Sequence, residues 1–463
     1  MKKSSLLPLI LFFLGVSLAC SSMNSKSSEK QFELRPVQEK TLPNGMRVLY
    51  IPDTSLPRVG YQLMIRSGAA RDPQGSEGLA AMTVALLEQG SKKRKALEIA
   101  DDFAQLGSSF NESSAMDYMM LTTSGLSQFK DQLLDLYADV ILNPAFAPAE
   151  VERKRSQVLA ELMQLPDRPS EYAALLLDRE VFGQHPYGHP VLGTIKSVKG
   201  IQRDQIAKFY SAQFQPANAI LAITGNFDEA FKERVEKTFS PWQGKALENF
   251  EMPIPKAHVQ RSFKLYTKPG LQQTQIRIGQ LGIARNDPDF LKLRMGNVIL
   301  GGAFASRLNQ KVRDDLGLTY SISSQFDAKL RTGSFEISTF ARNDKVAEAI
   351  KASLQVVDEF QAKGITEKEL NAAKALLIGQ FPAAIETTDR LAFNLLILRA
   401  YGVSDSYLTD FFQNVNSITV ADINEAIKKH VHPEWMKVVL FADEKAVQKQ
   451  LVDFGNFQVE QIP

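Results

Sequence analysis

Two stretches of this 463-residue chain repeat each other, and the repeat constrains the fold more than any single motif. "IQRDQIAKFYSAQFQPANAILAITGNFD" (201–228) and "ITVADINEAIKKHVHPEWMKVVLFADE" (418–444) lie about 217 positions apart. Each reads as a helix with apolar residues at 3–4 spacing, a breaker containing proline, and an apolar strand closing in an acidic turn. "FAPAEVERKRSQVLAEL" (146–162) and "ITEKELNAAKALLIGQF" (365–381) repeat a loop followed by an acidic helix. "DYMMLTTSGL" (117–126) and "GSFEISTFAR" (333–342) repeat a strand that precedes a helix. Three matches at a nearly constant offset predict two homologous α+β domains, residues 36–245 and 258–463, joined by a proline-containing linker over 246–257. Strand segments such as "YQLMIRSG" and "AILAITG" intermixed with helices predict, in each domain, a mixed, mainly antiparallel sheet with helices packed on one face.

The N-terminus reads as an address. Lys2 and Lys3, an apolar run from Leu6 and small residues before Cys20 have the architecture of a secretory signal over 1–19. The run is too short to span a bilayer, which needs about 20 apolar residues. "VSLAC" resembles a bacterial lipobox, which implies that Cys20 is acylated and becomes the mature N-terminus, with simple cleavage as the alternative. Cys20 is the sole cysteine, so no disulfide can form within the chain. Residues 20–35, rich in serine and lysine, read as a flexible tether, and Ser21 suits an outer membrane facing the periplasm. Lys and Arg total 54 against 52 Asp and Glu, so no field of one sign argues for nucleic acid or an anionic membrane surface.

"GLAAMTVALLEQG" (78–90) has helical periodicity between two glycines and, from Leu79 to Leu87, only Thr83 as a polar side chain. Together with "LPNGMRVLYIPDTSLP", "SGAARDPQGSEGLA", "HPYGHPVLGT" and "GGAFASRLNQKVRDDLGLTYSISS", it resembles the successive signatures of the pitrilysin/insulinase family of inverted zinc metallopeptidases. That resemblance implies two duplicated domains forming half of a clamshell around a peptide-holding cavity. Active members carry H-x-x-E-H on this helix, because residues at i, i+3 and i+4 share one face, and a distal glutamate completes the ligands. Here the motif positions are Ala81, Val84 and Ala85, and only Glu161, at the distal ligand position, remains. One carboxylate cannot hold zinc, so no metal is expected in this chain. His185 and His189 lie in a loop broken by proline and glycine and make a poor ligand pair.

The second domain keeps what the first lost. Active members place an arginine and a tyrosine seven residues apart, reaching towards the zinc site, and the matching residues are Arg313 and Tyr320. A guanidinium and a phenol can donate to the oxyanion that peptide hydrolysis creates. Gly301 and Gly302 match the family's glycine-rich loop, and Asn111, on a sheet edge expected within 111–118, matches a position that contacts substrate backbone. Taken alone, Arg313 reads as a cation in the last turn of a helix, Tyr320 as a strand aromatic and Asn111 as a turn residue. The resemblance implies a non-zinc subunit that completes the active site of a homologous partner carrying the zinc motif, acting on unfolded peptides. The rival reading is an inactive peptide-binding or scaffold lipoprotein of the same fold.

Overall fold

The computed structural model describes residues 34–245, 250–455 and 457–462. The signal segment, Cys20 and most of the tether lie outside those residues, as do residues 246–249 of the linker.

In the first half, six strands form one sheet: β1 (Gln38–Thr41), β2 (Arg47–Pro52), β3 (Arg58–Ile65), β4 (Phe110–Ser114), β5 (Met119–Leu126) and β6 (Ala219–Gly225). In the second half, β7 (Ser262–Thr267), β8 (Gln273–Leu281), β9 (Ile322–Ala328), β10 (Gly333–Arg342), β11 (Lys437–Ala442) and β12 (Gln458–Gln461) form another. The orders are β1-β2-β6-β3-β5-β4 and β12-β7-β11-β8-β10-β9, so five positions correspond one to one. β2 and β6 pair in parallel, as do β7 and β11, while β3 and β5, like β8 and β10, are antiparallel. The duplication predicted from the repeats is therefore present strand by strand. The sixth strand differs: β1 is antiparallel to β2, whereas β12, from the end of the chain, is parallel to β7.

Each half covers one face of its sheet with its own helices. Leu63, Ile65 and Leu121 of the first sheet share a core with Leu133, Leu134 and Tyr137 of the helix Lys130–Leu142 and with Phe231 and Val235 of the helix Glu229–Phe239. β6, "AILAITG", is buried along its whole length, as a central strand covered on both sides should be.

The cover on the second face comes from the other half. The helix Pro169–Phe182, started by proline and ended at Gly183 (φ +59°), packs on β8, β10 and β11 of the second sheet. Ala173, Leu176, Leu177 and Val181 join Tyr266, Val439 and Phe441 in one buried cluster. Gly279 allows the approach, since a Cβ there would lie 2.8 Å from Leu177 Cδ2. Reciprocally, the helix Thr388–Ala400 packs on β2, β3 and β6. Its Asp389 pairs with Arg58 at 2.5 Å and accepts from Thr224 Oγ1 at 2.6 Å, and its backbone carbonyl accepts from Gln62 Nε2 at 3.0 Å. Arg35–Pro463 consequently form a single compact unit.

Candidate functional site

The helix that opens "GLAAMTVALLEQG" is short, Leu79–Ala85, and gives way to a 3-10 turn, Leu87–Gln89. Gly78 begins it at φ +95° and offers no side-chain cap; instead Asp72 accepts from Gly78 N and Ala80 N, both at 2.8 Å. Ala81 and Val84 are 8% and 2% exposed, and Ala85 is half-buried. Thr83 Oγ1 turns back to Leu79 O at 2.7 Å. The three motif positions offer no donor atom, and Glu161 is exposed with Arg168 at 3.9 Å. These residues do not fit a zinc ion.

Beside the helix, two carboxyls that the sequence reading passed over share one environment. Burial first, and the charge of Glu88 second, push the Glu112 carboxyl up to about 7; burial also raises Glu88. Nothing in the periodicity of "FNESS" singles out Glu112, because its neighbour Glu88 comes from a distant segment.

Asn111 lies on β4, which is an edge of the first sheet as expected. The strand is shorter than the expected 111–118: it runs over Phe110–Ser114, and residues 115–118 form the turn into β5. Asn111 is exposed, donates to Ser109 Oγ at 3.2 Å, and lines a cavity of about 330 Å³ with Arg58, Gln62, Asp389, Arg390 and Asn394.

Gly301, Gly302, Arg313 and Tyr320 come together around a different cleft, of about 730 Å³, which Phe304 and Asn309 also line. The helix Phe290–Asn297 runs into a π-helical stretch, Val298–Gly302, and a second such stretch, Asn309–Asp315, carries Arg313 in its last turn before Gly317 (φ +58°). Both glycines have a packing reason: a Cβ on Gly301 would lie 2.4 Å from Ser324 Oγ, and one on Gly302 2.8 Å from Asn297 Nδ2. Arg313 is half-buried. Asp314 forks it, through Nε at 2.8 Å and Nη2 at 3.2 Å, and its guanidinium lies 3.9 Å above the Phe304 ring. Hydrogen bonding to Asp314 raises the arginine further and lowers the aspartate. Tyr320 stands in the loop before β9, is 87% exposed, and makes no hydrogen bond to any of the described residues. The Asn111 cavity and this cleft have no lining residue in common.

The histidines are structural in their contacts. His185 Nδ1 accepts from Tyr187 N at 3.1 Å, so its Nε2 carries the proton given to Pro253 O at 2.9 Å. His189 lies against Pro190 O at 3.0 Å, and His258 donates to Val181 O at 2.8 Å. Among the described residues, Asp287, Asp289 and His430 alone bring three potential metal ligands together. Asp289 already accepts from Lys292 and Lys429, each at 2.8 Å, and is held well below the usual carboxylate range, so the group is an ion-pair hub.

Comparison with known proteins agrees with this fold. Residues 47–195 match the description "Insulinase (Peptidase family M16)", and residues 200–377 match "Peptidase M16 inactive domain". The peptidase M16 inactive domain from Pseudomonas fluorescens superposes with a TM-score of 0.83 at 27% identity, over 92% of this chain and 100% of that one. The uncharacterized zinc protease YmxG of Bacillus subtilis is 23% identical over 84% of this chain and 94% of its own. The non-peptidase homolog YmxG of Helicobacter pylori is 26% identical over 86% and 92%. With both six-stranded sheets and the two exchanged helices in place, and the two family descriptions matched over residues 47–195 and 200–377, this chain belongs to the pitrilysin/insulinase family.

Proposed function

We propose that this chain is the non-zinc subunit of a two-chain peptidase, supplying Arg313 and Tyr320 to the active site of a homologous partner that bears H-x-x-E-H. The observation that carries the reading is an asymmetry. The first half has lost every side chain of the metal triplet, yet the second half holds Arg313 and Tyr320 on one cleft, with the phenol exposed and making no hydrogen bond among the described residues. A guanidinium stiffened by a carboxylate fork and an aromatic face is a donor set to one orientation, as stabilisation of a developing oxyanion requires. In such a pair the partner's H-x-x-E-H would hold the metal, which would supply an activated water, while this chain would bind peptide, Asn111, Gly301 and Gly302 being its contacts, and Arg313 and Tyr320 would donate to the carbonyl oxygen. Cys20, acylated, would hold the complex to the cell envelope, with the outer membrane facing the periplasm as the expected place.

The test is to purify the chain alone and with a homologue carrying the zinc motif, then measure bound zinc and cleavage of an unfolded peptide. Zinc is expected only in the partner, and Arg313→Ala or Tyr320→Phe should cost the complex about 10²-fold or more in rate. Full hydrolysis by the partner alone, unchanged by Arg313→Ala, would overturn the reading. Mass spectrometry of the mature N-terminus tests acylation of Cys20.

A second reading, an inactive peptide-binding or scaffold lipoprotein, draws support from the likeness to a non-peptidase homologue. It predicts peptide binding without turnover in any pairing and indifference to Tyr320→Phe.

A further inference from the structure

Beyond the end of β8 the chain turns over Ala284–Asp287, with Asp287 N donating to Ala284 O at 3.1 Å, and enters the helix Phe290–Asn297. Arg285 lies in that turn, half-buried, its guanidinium 3.9 Å from the centre of the Phe290 ring and 4.3 Å from that of Tyr407. The two rings are 6.1 Å apart and inclined at 56°, so they form an aromatic corner that the guanidinium fills. Among the described residues no carboxylate pairs with it. Arg155, Arg277 and Arg399, which are also withdrawn from solvent, meet Glu152, Glu336 and the pair Glu39 and Asp405, and Arg66 donates to Ala217 O. Burial lowers the pKa of Arg285, and the groups that act on it most after burial are Tyr407, Arg294 and Tyr401.

The corner borders a cavity of about 330 Å³, in the size range of small-ligand sites. Leu291, Val403 and Ile418 give it an apolar wall. Tyr407 Oη accepts from Arg294 Nη1 at 2.9 Å, which leaves the phenol's own O–H to donate. Asn414 also lines the cavity, half-buried, and its side-chain amide bonds to none of the described residues. The other charged groups at the rim are engaged: Lys292 Nζ donates to Asp289 at 2.8 Å, and Asp287 Oδ1 accepts from Asp289 N at 2.8 Å. Asp287 would repel a second negative charge, so the arrangement suits a monoanion.

We propose that this cavity binds a carboxylate carried on a small apolar body. The planar edge of the Arg285 guanidinium takes the carboxylate, Tyr407 and Asn414 donate to it, and Leu291, Val403 and Ile418 receive the apolar part. Such a ligand is either the end of a peptide chain with an apolar last residue or a free organic acid. The cavity shares no lining residue with the Arg313–Tyr320 cleft or with the Asn111 cavity, and its occupancy does not depend on a partner chain.

The experiment is a calorimetric titration of the purified chain with N-acetyl-leucine, N-acetyl-leucine amide, a pentapeptide ending in a free leucine, and inorganic phosphate. N-acetyl-leucine should bind at least about tenfold more tightly than its amide, a comparison that needs no altered protein. Arg285→Gln should weaken the acid about tenfold or more, and Arg285→Lys, which keeps the charge and loses the fork, should fall between. Asn414→Asp, which sets a like charge against the carboxylate, should weaken it similarly at an unchanged melting temperature. A pentapeptide that binds more tightly than N-acetyl-leucine identifies chain ends as the ligand; one that binds equally or less identifies free acids. Equal binding of acid and amide, dissociation constants of both acids above about 10 mM, or indifference to both Arg285→Gln and Asn414→Asp overturns the proposal. Phosphate that binds as tightly as N-acetyl-leucine overturns it too. Arg313→Ala should leave every affinity unchanged, so failure of the two-chain peptidase reading and failure of this one give different results.

Discussion

Val84, which the family resemblance aligns with the catalytic carboxylate, is packed as core. Val84→Glu should therefore unfold the chain more easily, by about 2–4 kcal/mol in urea denaturation, because the carboxyl would be buried without a partner. Gly301→Ala should cost about 1–3 kcal/mol, since the methyl would meet Ser324 Oγ at 2.4 Å and Ser324 N at 2.7 Å; a thermal melt reads it. At this scale only the resemblance to the family marked Ala81, Val84 and Ala85 as motif positions and Arg313 and Tyr320 as a pair; what the structure adds is that the last two line one cleft. The fork of Asp314 on Arg313 was not legible, because adjacent residues on a regular helix do not face each other. The pairing of Glu88 with Glu112 was hidden by their separation in the chain.

Among the elements, the two exchanged helices matter most. Leu177→Ala should cost about 2–4 kcal/mol, as a large-to-small change in a sealed cluster, and should loosen the second sheet although Leu177 belongs to the first half. Asp389→Ala should cost less, about 1–2 kcal/mol, through the bonds to Arg58 and Thr224; hydrogen exchange should rise on β3 and β6. The strands were readable because apolar alternation and turn residues mark them, and the repeat gave their correspondence. Which sheet the helix Pro169–Phe182 covers was not readable. Periodicity reports that a helix has an apolar face and says nothing about which surface meets it. β4 was overestimated for a related reason: nothing in "AMDY" (115–118), which holds neither glycine nor proline, marks the point where the chain reverses, yet Ala115 N already donates to Tyr118 O there.

For the whole molecule, the linker is fastened to the helix Pro169–Phe182 and the loop after it by two imidazoles, His185 on Pro253 O and His258 on Val181 O. Burial holds both below the usual histidine value of 6.5. A group whose folded pKa is depressed by burial of its neutral form favours the fold above the unfolded value and loses that contribution as the pH falls through the folded one. The contribution of these two imidazoles to thermal stability should accordingly be level from pH 8 to 7 and decline below about 6.5, opposite in sign to the contribution of the raised Glu112 carboxyl. Protonation at Nδ1 of His185 would also break the bond from Tyr187 N, so His185→Gln should flatten that decline. The reciprocal helices carry a further consequence for how such a chain can be divided. Each half lends the other a wall, so a protease that nicks the linker should release nothing: the two fragments should migrate together on a sizing column. Either fragment made by itself should be insoluble, its outer sheet surface left bare.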